Sequence, residues 1–561
     1  MSIFHTSTPS VLKTWWKESV IYQIYPRSFN DSDGDGVGDL RGIIQKLDYL
    51  KDLGVDIVWL SPIYKSPNDD NGYDISDYYD IMPEFGTMAD FDELLEGLHS
   101  RGMRLLMDLV VNHTSDEHEW FKASKSATDN PYRDYYVWKK PVNGGPPNNW
   151  RSFFSGSAWE LDETTGEYYL HLFAKKQPDL NWENPKVREE VYKLMRFWLD
   201  KGIDGFRMDV IPFISKDLTY PDADFERHGH GEIYANGPRV HEFLREMHEE
   251  VLRHYDIVTV GEGVGISAEQ ANDYVGSDRK ELHMIFHFDH MGLGYGPGGR
   301  MDPADWRIED FTTVFSKWDR ALGDRGWNNL YLGNHDFPRM VSRFGNDEKY
   351  WQASAKLLAT LLLTQRGTPT IYQGDEIGMT NSPFKQIADF RDIETLNAYK
   401  EVIEAEGDVA QFIERAAEAG RDNARTPIQW NAEPHGGFTE GTPWIDVTPN
   451  FGQINVANQE NDPDSILNFY RKALNYRKEQ ETLVYGDTEY LNHSQPELYD
   501  FIRVGGTGKF RVMLNLSSSE LQMPDIEEDW EWVAPLSNYA QVPLRSPMRP
   551  WEVRVLRKAI L

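Results

Sequence analysis

Short apolar runs recur along the chain, and several are separated by segments in which apolar residues repeat with a helical period. We predict strands at eight runs: Ser19–Ile24, Asp56–Leu60, Arg104–Val111, Gly205–Val210, Ile257–Gly261, His283–Phe288, Asn329–Gly333 and Thr368–Tyr372. Asp90–Ser100 and Lys186–Lys201 place apolar side chains three and four residues apart, as helices with one buried face do, and Gly202 offers a stop for the second. Strands alternating with helices predict an α/β fold, the (β/α)8 TIM barrel.

Two long intervals and the tail depart from this alternation and predict further domains. The interval after the third strand is too long for one helix, and its Pro131–Trp150 stretch is rich in Pro, Gly and Asn. Another long interval, helical in part over Ile393–Ala419, follows the eighth strand. In the tail, strands are predicted at Leu498–Val504, Lys509–Leu516 and Trp551–Leu556. The expected organisation is a barrel at 1–111 and 182–482 with an extension at about 375–466, an insertion domain at 112–181, and a C-terminal antiparallel β domain at 483–561.

Charge and composition argue against several classes of function. The chain has 91 acidic and 58 Lys or Arg residues, a formal net charge of −33. Such a surface repels nucleic acid and anionic membranes but is indifferent to a neutral small molecule. With no cysteine, disulfides, thiolate metal sites and a cysteine nucleophile are excluded. The first thirty residues show no signal-peptide pattern and no membrane-spanning run, so we expect a cytoplasmic protein. A monomer or homodimer is expected.

Carboxylates gather at the carboxyl ends of four predicted strands, in Asp108–Ser115, Gly205–Val210, Val260–Gly263 and Leu332–Asp336. In a barrel of this kind these strand ends meet at one mouth, where chemistry is carried out. A buried acid is costly unless it is paired or functional, and one such acid is commonly structural. Several acids that converge on one mouth indicate a reaction that uses them.

Glycoside hydrolysis needs two carboxylates, one ionised and one that holds a proton near neutrality. Arg207 lies two residues before Asp209, so both side chains point the same way on a strand, and the cation would keep Asp209 ionised. The residues next to Glu262 in the sequence include no cation, as expected for an acid with a raised pKa.

The four segments, in this order and at these intervals, resemble the signature regions of the α-amylase family of glycoside hydrolases. The similarity runs from Tyr22–Phe29 to the tail. Within the family, the motif QPDLNW at Gln177–Trp182 resembles that of the oligo-1,6-glucosidase branch. The resemblance implies a retaining mechanism in which Asp209 is the nucleophile, Glu262 is the acid/base, and Asp336 holds the sugar 2- and 3-hydroxyls. Retention requires the first two carboxyl groups to lie about 5–5.5 Å apart.

The resemblance also implies a closed pocket for one terminal glucose. Its hydrogen-bonding and stacking residues would be Tyr73, His113, Phe173, Gln177 and His335, with Arg207 orienting the nucleophile. Asp74 would bind the 4- and 6-hydroxyls and pair with Arg421, for which Arg425 is the competing partner. Such a pair closes the back of the pocket and restricts the enzyme to chain ends.

Linkage preference is expected to depend on Val210, because valine beside the nucleophile goes with α-1,6 linkages in related enzymes, and alanine or threonine with α-1,4. The implied activity is an exo-acting α-glucosidase on isomaltose, isomaltulose or panose. An α-1,4-preferring α-glucosidase remains an alternative. A non-catalytic relative of the transporter heavy chains is disfavoured, because those have lost catalytic residues that this chain keeps.

A sucrose isomerase or transglucosylase of the same family is the other alternative. Sucrose isomerases share the valine but carry an RLDRD loop before the last acidic motif. The matching stretch here, Gly296–Trp306, has one arginine before Asp302 and none just after it, which argues against isomerase activity. Neither this loop nor Phe337, which follows Asp336, matches what we expect of the hydrolases or the isomerases.

Alternate carboxylates follow the first predicted strand at Asp31, Asp33, Asp35 and Asp39. The pattern is similar to the first half of an EF-hand loop, with Gly36 at the turn, but position twelve is Gly42 and not Glu. The family resemblance implies a structural Ca²⁺, or Mg²⁺, held by these four carboxylates and the Val37 carbonyl. A solvated acidic turn is the alternative, and no organic cofactor is expected.

Overall fold

The computed structural model describes residues 13–225, 227–526, 529–541 and 543–559, so part of the segment expected to lack a signal peptide, residues 1–12, lies outside the described residues. Eight parallel strands form one sheet in the order β6-β5-β4-β3-β2-β1-β8-β7. A parallel bridge between Ile285 and Asn328 joins the two ends of this order and closes the ring. The strands are β1 (Ile21–Ile24), β2 (Ile57–Leu60), β3 (Arg104–Leu109), β4 (Gly205–Met208), β5 (Val258–Glu262), β6 (Met284–Phe286), β7 (Asn329–Leu330) and β8 (Thr368–Tyr372).

The predicted (β/α)8 barrel is confirmed, although most strands are shorter than predicted. Ile21, Val58 and Leu106 are typical strand residues, fully buried and apolar, because helices cover the sheet on its outer side. The residues beyond β4 and β7 continue as loops into the mouth of the barrel.

Helices alternate with the strands and extend beyond them. The two predicted helices begin earlier than expected, at Met88 after a Thr87–Asp90 capping box and at Pro185 after the cap Asn184, and Gly202 ends the second with a φ of 107°. The helices are Trp15–Glu18, Leu40–Ile44, Leu47–Leu53, Met88–Ser100, Glu119–Ser126, Pro185–Lys201, His230–Tyr234, Val240–Glu250, Ala271–Val275, Ile308–Leu322, Met340–Phe344, Trp351–Thr364, Ile393–Glu404, Val409–Ala419, Asp422–Arg425, Val456–Glu460, Ile466–Glu479 and Glu481–Tyr485.

The insertion after β3 forms a small antiparallel sheet above the barrel mouth. Its strands are Trp138–Lys139, Glu167–Leu170 and Trp159–Asp162, in that spatial order. A bridge between His113 and Asp179 ties the insertion to the end of β3. The second insertion, after β8, contributes the helices Ile393–Glu404 and Val409–Ala419 beside the same mouth.

The tail forms an antiparallel sheet in the order β9-β10-β11-β13-β12. Its strands are β9 (Asp487–Leu491), β10 (Leu498–Gly505), β11 (Gly508–Asn515), β12 (Glu531–Trp532) and β13 (Val553–Lys558). β9 and β12 were not predicted from the sequence; they are the edge strands of the sheet, and their side chains are largely exposed or half-buried. Among the described residues, no helix combines the length and apolarity needed to cross a bilayer.

Candidate active site

A cavity of about 210 Å³ opens at the mouth of the barrel, between the insertion after β3 and the loops that follow β4 to β8. It is lined by Asp70, Tyr73, His113, Phe153, Phe154, Phe173, Asp209, Val210, Phe213, Glu262, Val264, Phe288, Arg300, Asp336, Phe337, Glu394 and Arg421. The three predicted catalytic carboxylates all face this one space, so residues more than a hundred positions apart meet as the sequence analysis expected. Its volume suits a single sugar unit.

Arg207, on β4, connects the carboxylates at the floor of the cavity. Its Nη1 donates to Asp108 Oδ1 at 2.8 Å and to Asp209 Oδ1 at 2.7 Å. Its Nη2 lies 2.6 Å from Glu262 Oε2. No cation neighbours Glu262 in the sequence, but the sheet brings Arg207 on β4 beside the end of β5. Asp209 and Glu262 lie next to each other on one guanidinium.

Asp108, Asp209 and Glu262 share the single positive charge of Arg207. Burial raises the pKa of Asp209 and of Glu262, and Arg207 opposes the rise in both. The negative charge of Asp108 raises both pKa values further. The cluster therefore favours the retention of a proton between Asp209 and Glu262, which is what an acid/base paired with a nucleophile requires.

Val210 adds a second contact to Glu262 from the turn after β4. Its backbone N–H donates to Glu262 Oε2 at 2.8 Å. Its φ is 35°, in the left-handed region that a β-branched residue rarely adopts. Strain of this kind persists where the surroundings impose it and is common at active sites. The turn directs the N–H toward the carboxylate and leaves the Val210 side chain on the cavity wall.

Asp336 lines the same cavity and is contacted by two arginines. Arg421 Nη1 and Arg425 Nη2 each donate to its Oδ1 at 3.1 Å, and His335 Nε2 lies 3.2 Å from its Oδ2. Burial alone would raise the pKa of Asp336, but these neighbours hold it below its usual range. Asp336 is consequently ionised and can accept a hydrogen bond from a sugar hydroxyl in the cavity.

Two predicted histidines and Tyr73 form a neutral layer beside the carboxylates. Burial lowers the pKa of His113 to about 4 and that of His335 to about 3, so both act as neutral hydrogen-bonding groups. The Tyr73 ring stacks on His335 with centroids 5.1 Å apart and planes 6° apart, and its hydroxyl donates to Asp108 Oδ2 at 3.0 Å. Tyr73 is thus a fixed platform at the cavity floor.

The assignment of Asp74 to the sugar hydroxyls is wrong, because Asp74 faces its own loop. It is fully buried and accepts from Ser66 Oγ and from the backbone N–H groups of Asp69 and Asp70. The carboxylate that enters the cavity is Asp70, whose Oδ1 lies 3.2 Å from Arg421 Nη2. Both acids stand in the stretch NDDNGYD, and only the fold of the loop separates their roles.

Arg421 lines the cavity, but it does not pair with Asp74 as predicted. It bonds Asp70, Asp336 and Asp392, and Asp392 was not anticipated. Arg425 does not replace it, because Arg425 bonds Asp336 and Asp392 and does not line the cavity.

Gln177 and Phe173 lie at the insertion side of the cavity. Gln177 is fully buried, and its Nε2 donates to Asp70 Oδ2 at 3.1 Å, so it positions Asp70 from behind the cavity wall. Phe173 lines the cavity and stacks on Phe153 at 5.1 Å. Several lining residues were not predicted from the sequence, among them Phe153, Arg300 and Glu394. An arginine in the unmatched Gly296–Trp306 loop was the one signal that could have indicated Arg300.

Three of the four predicted metal-binding carboxylates cluster in the loop after β1. Asp31, Asp33 and Asp39 each offer an oxygen, and these atoms all lie within 4.8 Å of one another. Asp35 lies outside this group and accepts from the Val37 N–H at 2.8 Å. An all-oxygen set of this kind suits Ca²⁺ or Mg²⁺.

The comparisons with known proteins cover nearly the whole chain. The catalytic-domain model of α-amylase matches residues 23–486. An oligo-1,6-glucosidase from Parageobacillus thermoglucosidasius is 56% identical over 558 residues, which cover 97% of this chain and 99% of that relative. The structure of a mutant isomaltulose synthase from Erwinia rhapontici with bound sucrose has a TM-score of 0.94 at 45% identity, covering 97% of this chain and 99% of that one. A trehalose-6-phosphate hydrolase from Bacillus licheniformis gives 0.93 at 48% identity, with coverages of 98% and 100%.

Proposed function

The chain belongs to the α-amylase family of glycoside hydrolases, and on that premise we propose that it releases the non-reducing terminal glucose of short α-1,6-linked oligosaccharides such as isomaltose, isomaltulose and panose. One observation carries the proposal. Asp209 and Glu262 share Arg207 at the floor of a cavity whose back is closed by Asp70, Arg421 and Asp336. A closed back admits a chain end and excludes the interior of a polymer.

The reaction proceeds in two displacements. An oxygen of Asp209 attacks the anomeric carbon of the terminal glucose, the glucosidic bond breaks, and the leaving oxygen takes the proton from Glu262. Water then attacks the anomeric carbon of the glucosyl ester and gives its proton to Glu262, and the Asp209 carboxylate leaves. Two inversions release α-glucose, so the configuration is retained.

Ionised Asp336 would accept hydrogen bonds from adjacent sugar hydroxyls, and Asp70 with Arg421 would bind those at the closed end. His113 and His335, both neutral, would hydrogen-bond the ring substituents, and Tyr73 would support the ring. These contacts act on the terminal glucose alone, and they position its anomeric carbon between Asp209 and Glu262.

A neutral substrate is favoured over a phosphorylated one. Beyond the cavity, the walls of the entrance groove carry Glu394 and Glu401. Two arginines line this groove: Arg151, and Arg300, whose Nε already donates to Glu394 Oε1 at 3.0 Å. An anionic leaving group would therefore meet the carboxylates of Glu394 and Glu401 beside an Arg300 that is already paired. Hydrolysis is favoured over sucrose isomerisation because Gly296–Trp306 supplies this one arginine, which is paired.

Initial rates on isomaltose, maltose, sucrose, trehalose and dextran, with the products identified, test the proposal. We expect isomaltose to give the highest kcat/KM, dextran to be cleaved poorly, and the first glucose released to be the α-anomer by NMR. Asp209→Asn should abolish turnover without loss of fold. A higher kcat/KM on maltose would indicate α-1,4 preference, and a new disaccharide from sucrose would indicate an isomerase.

For the loop after β1, we propose a structural Ca²⁺ or Mg²⁺ held by Asp31, Asp33 and Asp39. The family resemblance adds Asp35 and the Val37 carbonyl to this set. The ion would neutralise clustered carboxylates and fix the loop, and it would take no part in the reaction. Location in the cytoplasm and the oligomeric state stay predictions.

A further inference from the structure

Rings and guanidinium groups alternate along the entrance side of the cavity. Arg300 Cζ lies 5.1 Å from the centroid of the Phe337 ring, and Arg343 Cζ lies 5.4 Å from the same ring. Arg343 Cζ also lies 4.4 Å from the Tyr295 ring, and Arg415 Cζ lies 5.8 Å from it. Phe337 therefore packs against two cations and is the member of this stack that directly follows Asp336.

Arg300 is fixed by elements from three parts of the chain. Its Nε donates to Glu394 Oε1 at 3.0 Å, and its Nη1 donates to the Asp336 carbonyl at 2.6 Å. Its own carbonyl accepts from Arg415 Nε at 2.8 Å. Because Arg300 is held in this way, the Phe337 ring that it contacts is also held. The Gly296–Trp306 loop and Phe337, the two features that match neither the hydrolases nor the isomerases, thus touch each other.

Phe337 and Arg300 lie at the boundary between the cavity and its entrance groove. Phe337, Arg300 and Glu394 line both the cavity of about 210 Å³ and the entrance groove of about 960 Å³. With the terminal glucose in the cavity, the second sugar of a disaccharide has to lie at this junction. An aromatic face packs well on the apolar C–H face of a sugar, and the paired charges beside it can bond hydroxyls.

We infer that Phe337, held by Arg300, is the platform for the second sugar and favours a neutral sugar over water as the acceptor of the glucosyl group. This inference rests on the proposed function. In transfer, a hydroxyl oxygen of the bound sugar attacks the anomeric carbon of the Asp209 ester, and its proton goes to Glu262. The ester bond breaks, the Asp209 carboxylate is restored, and the product is a longer oligosaccharide.

The platform is tested with two substrates that differ in the second sugar. Isomaltose has one, and α-glucosyl fluoride has none. We expect Phe337→Leu to lower kcat/KM on isomaltose roughly tenfold more than on the fluoride, mainly through KM, because an apolar contact of ring size is lost. The ratio of transfer to hydrolysis at high isomaltose should fall in parallel. Phe337→Tyr, which keeps the ring, should restore both values.

Arg300→Gln should reproduce the effect of Phe337→Leu, and the double variant should be no worse than the more affected single variant, since the two residues act as one unit. Phe344→Leu is the matched control: Phe344 lies 5.1 Å from the same Arg343 but does not line the cavity. It should leave the substrate ratio unchanged.

Equal losses on isomaltose and the fluoride, or an unchanged ratio of transfer to hydrolysis, would overturn the platform. Failure of the proposed function shows in the wild-type enzyme, as a preference for maltose. In that case the same variants are compared on maltose and the fluoride, which still decides the role of Phe337.

Discussion

A single guanidinium organises the reacting groups. Arg207 contacts Asp108, Asp209 and Glu262, and with one positive charge it cannot neutralise three carboxylates. Asp108 also accepts from the Tyr73 hydroxyl and from Trp59 Nε1. It does not line the cavity, so it acts on the reaction through Arg207 and through its own charge.

Asp108→Asn should shift the pH dependence of activity toward acid. Burial raises the pKa of Asp209 and of Glu262, and the Asp108 charge raises both further, so its removal lowers both. Activity requires ionised Asp209 and protonated Glu262. The acidic limb, set by Asp209, and the basic limb, set by Glu262, should therefore both move to lower pH in a profile of kcat/KM.

Asp129→Asn, on an exposed part of the insertion, is the control and should leave the profile unchanged. Limbs that stay in place in Asp108→Asn, or that move to higher pH, would mean that Asp108 does not influence these two pKa values.

At the level of elements, the loop between β2 and β3 carries two carboxylates with different roles: one stabilises the loop, and the other enters the cavity. Asp74 accepts three hydrogen bonds within the loop, and Asp70 projects from it to Arg421 and Gln177. Burial raises the pKa of Asp70 to about 7 and that of Asp74 to about 6. The ionised form of Asp70 is thus costly to bury. Its position is explained by its role in the cavity and not by the stability of the loop.

Asp70→Asn should lower kcat/KM on isomaltose about 100-fold while the free energy of unfolding changes by less than about 1 kcal/mol, since one charge-assisted pair is lost at the substrate. Asp74→Asn should instead destabilise the fold by about 1–3 kcal/mol, because an amide N–H₂ replaces an oxygen that accepts a backbone N–H. Urea unfolding and initial rates measure the two effects.

Asp69→Asn, in the same loop but outside the cavity lining, serves as the control and should change neither quantity strongly. The reverse pattern, a stability loss in Asp70→Asn and an activity loss with intact stability in Asp74→Asn, would restore the original assignment of Asp74.

At the scale of the whole molecule, the sequence predicts the barrel and the convergence of Asp209, Glu262 and Asp336, because period and motif order are properties of the chain itself. It does not predict which neighbour across the sheet approaches Glu262, since Arg207 reaches it through strand pairing. The choice between Asp70 and Asp74 depends on a loop conformation with no periodic signal. The edge strands β9 and β12 are missed because they carry little buried apolar pattern.

The loop after β1, which carries the proposed metal site, links parts of the molecule that are far apart in the sequence. The Asp31 carboxylate accepts from the Thr439 hydroxyl, and the Asp31 backbone N–H donates to the Phe438 carbonyl at 3.0 Å. The Gly36 carbonyl accepts from the Trp444 backbone N–H at 3.0 Å. The loop after β1 thus supports the end of the second insertion, which also carries the Arg421 segment. An ion bound here would stabilise both segments together.

Chelation should therefore lower the midpoint of thermal unfolding of the whole chain. An ion present at 100 times its dissociation constant contributes about 2.7 kcal/mol, enough to move the midpoint by a few degrees. Calcium added back to the EDTA-treated protein should restore it, and Asp33→Asn should make the midpoint insensitive to either treatment. Asp48→Asn, at an exposed carboxylate, should behave like the wild type. Identical midpoints with and without EDTA would mean that the loop folds as a solvated acidic turn and that the hydrogen bonds to Thr439, Phe438 and Trp444 suffice to hold it.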